Sequence, residues 1–200
     1  GIVFDFFDGF VARLLHSSSA IGVQLDSLAD VITSGLAPAA VLWQVCLQTE
    51  PCWLPEGWKL GYGVFVLAAF SALRLAKFNI DETQTVEFCG LPTPAGSLLC
   101  ASLGMLWQQG AVALSSDGVL LIAVLTSLLL VSPIRMFALK FHGFGWRGNE
   151  VRYLFLLASI VLIIILRTYA IPVIIVLYIV VSAVRWLCMR SGNPDKAPKA

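Results

Sequence analysis

Six apolar runs separated by short polar breaks constrain this chain more than any other feature. They cover residues 20–48, 59–80, 93–114, 117–139, 150–168 and 171–189. Since a helix needs about 20 residues to cross the hydrocarbon core of a bilayer, each run predicts a membrane-spanning helix. Only 12% of the residues are charged, about half the fraction that a soluble domain carries. The sequence therefore predicts an all-α polytopic bundle in a lipid bilayer.

The start of the chain carries a shorter apolar stretch. Residues 1–15 are too few to span a bilayer alone, and we interpret them as the end of a further helix. We thus expect about seven helices, with a first helix missing upstream. Residues 1–190 are predicted to form a single membrane domain and residues 191–200 a polar cytoplasmic tail. The formal net charge of +1 gives no reason to expect a nucleic-acid partner.

The distribution of Lys and Arg predicts the orientation in the membrane. If the polar loop at 14–20 is cytoplasmic and the helices alternate, Lys59 and Arg167 are the exceptions among the 13 Lys and Arg residues, because the others fall on the cytoplasmic side. Positive residues concentrate on that side of membrane proteins. The N-terminal end of the chain is therefore expected at the cytoplasmic face.

Four carboxylates stand close together in this N-terminal part. Asp5 and Asp8 are three residues apart, and Asp26 and Asp30 are four apart, so each pair occupies one face of a helix. Carboxylates inside apolar helices cost about 2.5–3.5 kcal/mol each on insertion scales, and four of them need a compensating partner. One or two hard divalent cations with oxygen ligands would supply it. Two such ions are common in phosphoryl chemistry.

The residues around these carboxylates form a known signature. The pattern DxxDGxxARx8GxxxDxxxD of the CDP-alcohol phosphotransferase family is matched at every fixed position, by Asp5, Asp8, Gly9, Ala12, Arg13, Gly22, Asp26 and Asp30. The resemblance implies a homodimeric integral membrane enzyme that transfers a substituted phosphate from a CDP-linked lipid to an alcohol and releases CMP. It also implies two divalent cations, Mg²⁺ or Mn²⁺.

The resemblance further implies roles for two sets of residues. The metal ligands are expected to be Asp5, Asp8, Asp26 and Asp30. The fourth of these carboxylates is also expected to be the general base for the attacking hydroxyl. The nucleotide-binding residues are expected to be Gly9, Ala12, Arg13 and Gly22.

Three later segments, 71–80, 88–96 and 131–141, resemble the serine-using branch of the family. That branch takes CDP-diacylglycerol as donor and L-serine as acceptor. Because serine carries a carboxylate and an ammonium group, its pocket should offer both a cation and oxygen acceptors. The candidates for serine binding are Arg74, Asn79 and Arg135. We expect the bacterial inner membrane as location, with the active site facing the cytoplasm.

Three alternatives remain open from the sequence. The same chemistry could use glycerol 3-phosphate or an inositol phosphate as acceptor, although such anionic acceptors should need a denser cluster of Lys and Arg. The acidic residues could form an ion-paired helix hairpin without chemistry. A cation transporter could use them too, but it predicts carboxylates along a path through several helices, and the later runs have Asp117 and Glu150 only at their edges.

Overall fold

The computed structural model describes residues 20–53, 60–80, 87–137 and 149–192. Most of these residues are helical, and the predicted all-α bundle is confirmed. The seven α-helices in this part of the chain are α1 (Ala20–Asp30), α2 (Ala37–Leu47), α3 (Val66–Ile80), α4 (Thr93–Gln108), α5 (Ser116–Leu130), α6 (Glu150–Leu166) and α7 (Ala170–Gly192).

Two of the long apolar runs fold with irregular turns inside them. A π-helical turn, Val31–Leu36, joins α1 to α2 directly, and a 3-10 turn, Leu60–Phe65, leads into α3. The helical stretches 24–47 and 61–80 are each long and apolar enough to cross a membrane. Exposed apolar side chains such as Leu73, at 46% exposure, are typical of helices that contact lipid.

The last two runs form a helical hairpin. Residues 150–189 are apolar enough to span a membrane, but Arg167 takes a positive φ of 45° and interrupts the helix. A 3-10 turn, Arg167–Tyr169, then reverses the chain, and α7 packs against α6. The helix α7 continues to Gly192, so the polar tail predicted from residue 191 falls largely outside the described residues.

The run predicted as one helix over 117–139 is divided in the structure. Helix α5 ends at Leu130, and Arg135–Phe137 forms a short strand, β2, that pairs antiparallel with β1, Glu87–Cys89. Pro133 lies between them, and proline cannot continue a helix. The predicted helical end was therefore wrong, because the strand depends on pairing with a distant segment.

The buried core has two parts. The first lies between α2, α3, α4 and α5, where Leu42, Leu67 and Val119 are fully or almost fully buried. The second lies where α6 and α7 cover β2, and it is aromatic: the ring of Phe137 is 5.6 Å from Phe155. The second part attaches the C-terminal hairpin to the strand pair.

Two glycines allow the close approaches that shape one end of the bundle. A Cβ at Gly35, in the π-helical turn, would lie 2.9 Å from Ser71 Cβ on α3, so α3 packs directly on this turn. Gly90 has a φ of 76°, and a Cβ there would collide with the carbonyl oxygen of Leu130. Such contacts between backbone and small residues are typical of helix packing in membranes.

Candidate active site

Helix α1 presents two of the predicted carboxylates on one face. Asp26 and Asp30 are one helical turn apart, Asp26 is exposed and Asp30 is half-buried. The π-helical turn begins immediately after Asp30. Such turns occur frequently at functional sites, and here the turn places this carboxylate where α3 crosses.

Arg74 lies next to this face. Its side chain is buried at 8% exposure, and it lies within electrostatic interaction range of Asp30. Its Nη1 donates a hydrogen bond of 2.9 Å to Thr93 Oγ1, the first residue of α4. The guanidinium also lies over the Phe78 ring, 5.5 Å from its centroid. A buried guanidinium held in this way offers a fixed positive charge to an anion.

A cavity of about 340 Å³ opens beside Arg74. It lies between the C-terminal end of α3, the residues that follow α5, and β1. Its lining residues are Arg74, Lys77, Ile80, Cys89, Leu130, Val131, Ser132 and Pro133. Two cations and a hydroxyl thus border a space that reaches the same end of the bundle as Asp30.

The two other predicted acceptor residues also lie at this end. Asn79 Nδ2 donates a hydrogen bond of 2.8 Å to Ser27 Oγ, the neighbour of Asp26 on α1. Arg135 lies on β2 opposite Cys89 of β1, and Cys89 lines the cavity. The structure therefore brings all three predicted acceptor residues to the end of the bundle that carries Asp26 and Asp30.

A sequence model described as CDP-alcohol phosphatidyltransferase matches residues 1–134 of the chain. The chain belongs to the CDP-alcohol phosphatidyltransferase family. The match covers the whole acidic signature and ends just before β2. The helical hairpin α6–α7 therefore lies beyond the part that the family match covers.

Three relatives of this phosphatidyltransferase have the same name. The chain is 32% identical to the CDP-diacylglycerol–serine O-phosphatidyltransferase of Bacillus subtilis, over 72% of its own length and 73% of the relative's. It is 30% identical to the enzyme of that name from Helicobacter pylori, over 93% and 76% of the two chains. For the Mycobacterium tuberculosis enzyme the identity is 34%, over 98% and 71%.

Part of the predicted site of this phosphatidyltransferase falls outside the described residues. Asp5, Asp8, Gly9, Ala12 and Arg13 all precede residue 20. Gly22 is described and exposed, one turn before Asp26 on α1. Within the described ranges, no three His, Cys, Asp or Glu side chains come together as a metal-binding group. The two carboxylates on α1 are nevertheless accessible oxygen donors, the ligand type that Mg²⁺ and Mn²⁺ prefer.

Three residues of the cavity region are not among the site residues predicted from the sequence. Thr93 belongs to the segment 88–96 that resembles the serine-using branch, but only the structure pairs it with Arg74. Cys89 and Ser132 line the cavity because β1 folds back against the end of α5. The backbone N–H of Leu91 donates to the carbonyl of Leu129, and no periodicity in the sequence indicates that contact.

Among the described residues, the two carboxylates of the later helices, Asp117 and Glu150, lie at helix ends. Asp117 lies at the start of α5, where its Oδ2 accepts hydrogen bonds from the backbone N–H groups of Cys52 and Trp53 at 3.1 and 2.6 Å. Glu150 is the exposed first residue of α6. Both positions are helix ends, so the arrangement expected for a cation transporter is not found among the described residues.

Proposed function

We propose that this chain is a CDP-diacylglycerol–serine O-phosphatidyltransferase. The observation that carries the proposal is the cavity bordered by Arg74 and Lys77 at the end of the bundle where Asp30 lies. Its relatives with this name cover nearly the whole chain, including the segments that form the cavity. A cationic cavity beside a carboxylate suits an acceptor that carries an anionic group and a hydroxyl.

The four carboxylates of the signature are proposed to hold two divalent cations. Asp26 and Asp30 supply oxygen donors from one face of α1, and Asp5 and Asp8 are proposed to complete the ligand set. When bound, the ions neutralise charge on the pyrophosphate and so favour departure of CMP. Gly9, Ala12, Arg13 and Gly22 are proposed to bind the nucleotide.

We propose the following transfer step. The serine hydroxyl oxygen forms a bond to the phosphorus that carries the diacylglycerol, and the bond from this phosphorus to the CMP oxygen breaks. Asp30 takes the hydroxyl proton as general base. Arg74 is proposed to bind the serine carboxylate, since a guanidinium pairs well with planar carboxylates. Asn79 and Arg135 border the same end and are proposed to contribute to this binding.

We propose that the end with the cavity faces the cytoplasm of a bacterial inner membrane. Most of the described cationic side chains lie toward this end, whereas Arg167 lies at the opposite end. The residues in the first group are Arg74, Lys77, Arg135, Arg152 and Arg185. An excess of Lys and Arg marks the cytoplasmic side. Labelling by a membrane-impermeant thiol reagent, in sealed vesicles of known orientation, tests this placement. The Cys89 thiol is identified by the labelling that the wild-type protein shows and Cys89→Ser lacks.

A homodimer is proposed as the working unit. Helix α1 and the turn after it expose an apolar stripe with helical spacing that a second copy can cover, formed by Ile21, Leu25, Leu28, Ile32 and Leu36. Disulfide cross-linking of Leu28→Cys in membranes tests the dimer. Leu157→Cys, on the exposed face of α6, is the control and should not cross-link.

The experiment that tests the function is CMP release from CDP-diacylglycerol by the purified full-length protein with Mn²⁺ or Mg²⁺. L-serine, glycerol 3-phosphate and an inositol phosphate are compared as acceptors. Serine-dependent release that EDTA abolishes is the expected result. Release with one of the anionic acceptors alone would keep the family and overturn the acceptor. No release with any acceptor, from well-folded protein, would overturn the proposed reaction.

A further inference from the structure

Tyr178 of α7 joins the C-terminal hairpin to the cavity end of the bundle. We infer that Tyr178 is a positioning residue for the acceptor pocket, because it holds β2 in place. The inference rests on the proposed function, and it assigns a role in acceptor binding to a helix beyond residues 1–134, the part that the family match covers.

Tyr178 contacts β2 directly. The Tyr178 side chain is 8% exposed, and its hydroxyl donates a hydrogen bond of 2.9 Å to the backbone carbonyl of Phe137. The two rings are 4.9 Å apart, and Phe155 of α6 lies 5.8 Å from Tyr178. Three packed rings and a buried hydrogen bond fix the strand more firmly than contact with lipid could.

The strand carries this constraint to the cavity. Phe137 and Arg135 are the two ends of β2, and Arg135 is opposite Cys89 of β1. Cys89 lines the cavity, and the next residue, Gly90, donates its N–H to the Ile134 carbonyl. A shift of β2 therefore moves the wall of the cavity and the guanidinium of Arg135 together.

Arg74 lines the same cavity as Cys89. Tyr178 lies within electrostatic interaction range of this guanidinium, as Asp30 does. Thr93 accepts one hydrogen bond from Arg74, and the Phe78 ring centroid lies 5.5 Å from the guanidinium. A buried guanidinium keeps one orientation when such contacts restrict its rotamers. The cavity that β1 and β2 border therefore has a guanidinium of fixed orientation, the group proposed to bind the serine carboxylate.

The test compares Tyr178→Phe with Tyr169→Phe in the full-length protein. Tyr178→Phe removes one hydroxyl and keeps the packed ring. Tyr169→Phe removes a hydroxyl that donates to the Ala111 carbonyl at the opposite end of the bundle, so it is a matched control. We measure KM for L-serine, KM for CDP-diacylglycerol and kcat, with elution from a sizing column as the check of folding.

The expected result is a KM for serine about three- to tenfold higher in Tyr178→Phe, as expected for loss of one net hydrogen bond. KM for CDP-diacylglycerol stays unchanged, and Tyr169→Phe leaves both constants at wild-type values. A role in folding alone would reduce the amount of active enzyme without raising the KM for serine relative to the KM for CDP-diacylglycerol. If Tyr178→Phe is not monodisperse, Phe155→Leu, which loosens the same ring cluster, must raise the serine KM in the same direction.

Two outcomes would overturn the inference. One is an unchanged KM for serine in Tyr178→Phe, or in Phe155→Leu where that variant replaces it. The other is an equal rise in KM for both substrates, which would indicate a general disturbance. Absence of serine-dependent CMP release in the wild type would instead overturn the proposed function, so the two failures are distinguishable.

Discussion

Arg74 Nη1 donates a hydrogen bond to Thr93 Oγ1 across 2.9 Å, and this bond joins the last turns of α3 to the first turn of α4. Both side chains are buried, at 8% and 1% exposure. The bond joins two of the segments that resemble the serine-using branch. One of these segments is rich in cations and the other is rich in proline. It fixes the guanidinium at the wall of the cavity.

Thr93→Val should therefore weaken acceptor binding. Valine has nearly the shape of threonine but cannot accept a hydrogen bond from the buried guanidinium. A hydrogen bond to a charged group contributes about 1.5–3 kcal/mol, so kcat/KM for serine should fall about ten- to a hundredfold. Thr93→Ser keeps the hydroxyl and should remain within about threefold of wild type. Equal values for the Val and Ser variants would contradict the assignment.

Replacement of the signature carboxylates should remove most of the activity. Asp26→Asn and Asp30→Asn each take one charged ligand from the face of α1, and Asp5→Asn and Asp8→Asn do the same for the first pair. Neutral amides bind hard divalent cations more weakly than carboxylates do. CMP release and its dependence on Mn²⁺ concentration are the measurements. Glu50→Gln, an exposed acid after the C-terminal end of α2, should behave as wild type.

Near-normal turnover in Asp26→Asn would show that this residue is not a ligand. A variant that recovers activity at high Mn²⁺ has lost affinity for the ion, and this recovery is expected for Asp26→Asn. Asp30→Asn should not recover in this way, because its proposed role includes taking the hydroxyl proton. Full recovery of Asp30→Asn would remove the general base from the mechanism.

The membrane helices could be predicted from the sequence because spanning a bilayer is a local requirement. Each helix must satisfy its own backbone hydrogen bonds and present apolar side chains to lipid, so a run of apolar residues indicates where such a helix lies. The predicted helical end of the run at 117–139 was wrong, because the strand there depends on a contact that is not local. Residues 135–137 lie within the predicted run, but they follow Pro133 and pair with 87–89 instead, and pairing between distant segments leaves no periodic pattern.

The candidate site was predictable only in part. Asp26 and Asp30 follow from the signature and its helical spacing, and Arg74 and Arg135 from resembling segments. The contact between Tyr178 and Phe137 could not be predicted, because a tyrosine in an apolar helix is equally suited to lipid or to the core. Which surface it faces depends on how the C-terminal hairpin packs.

Gly90→Ala should destabilise the strand pair and reduce serine binding. The alanine would need a positive φ, which costs about 1–3 kcal/mol, and its Cβ would collide with the Leu130 carbonyl oxygen. Gly110→Ala is the control, since Gly110 also has a positive φ, 67°, but no atom lies near its Cβ position. Thermal unfolding in detergent should show a much larger drop for Gly90→Ala. Equal drops would mean that backbone strain alone matters.

Asp117→Asn should lower stability without changing substrate binding. The carboxylate accepts backbone hydrogen bonds from Cys52 and Trp53 on Oδ2 and from Gly118 on Oδ1, so it holds the loop after α2 against the start of α5. An amide presents one oxygen and one NH₂ group, and the NH₂ group cannot accept hydrogen bonds. Because this contact lies at the end opposite the cavity, the thermal midpoint should fall while KM for serine stays constant. Asp117→Ala, which loses both oxygens, should fall further. An increase in the serine KM of Asp117→Asn would indicate that the two ends of the bundle are coupled.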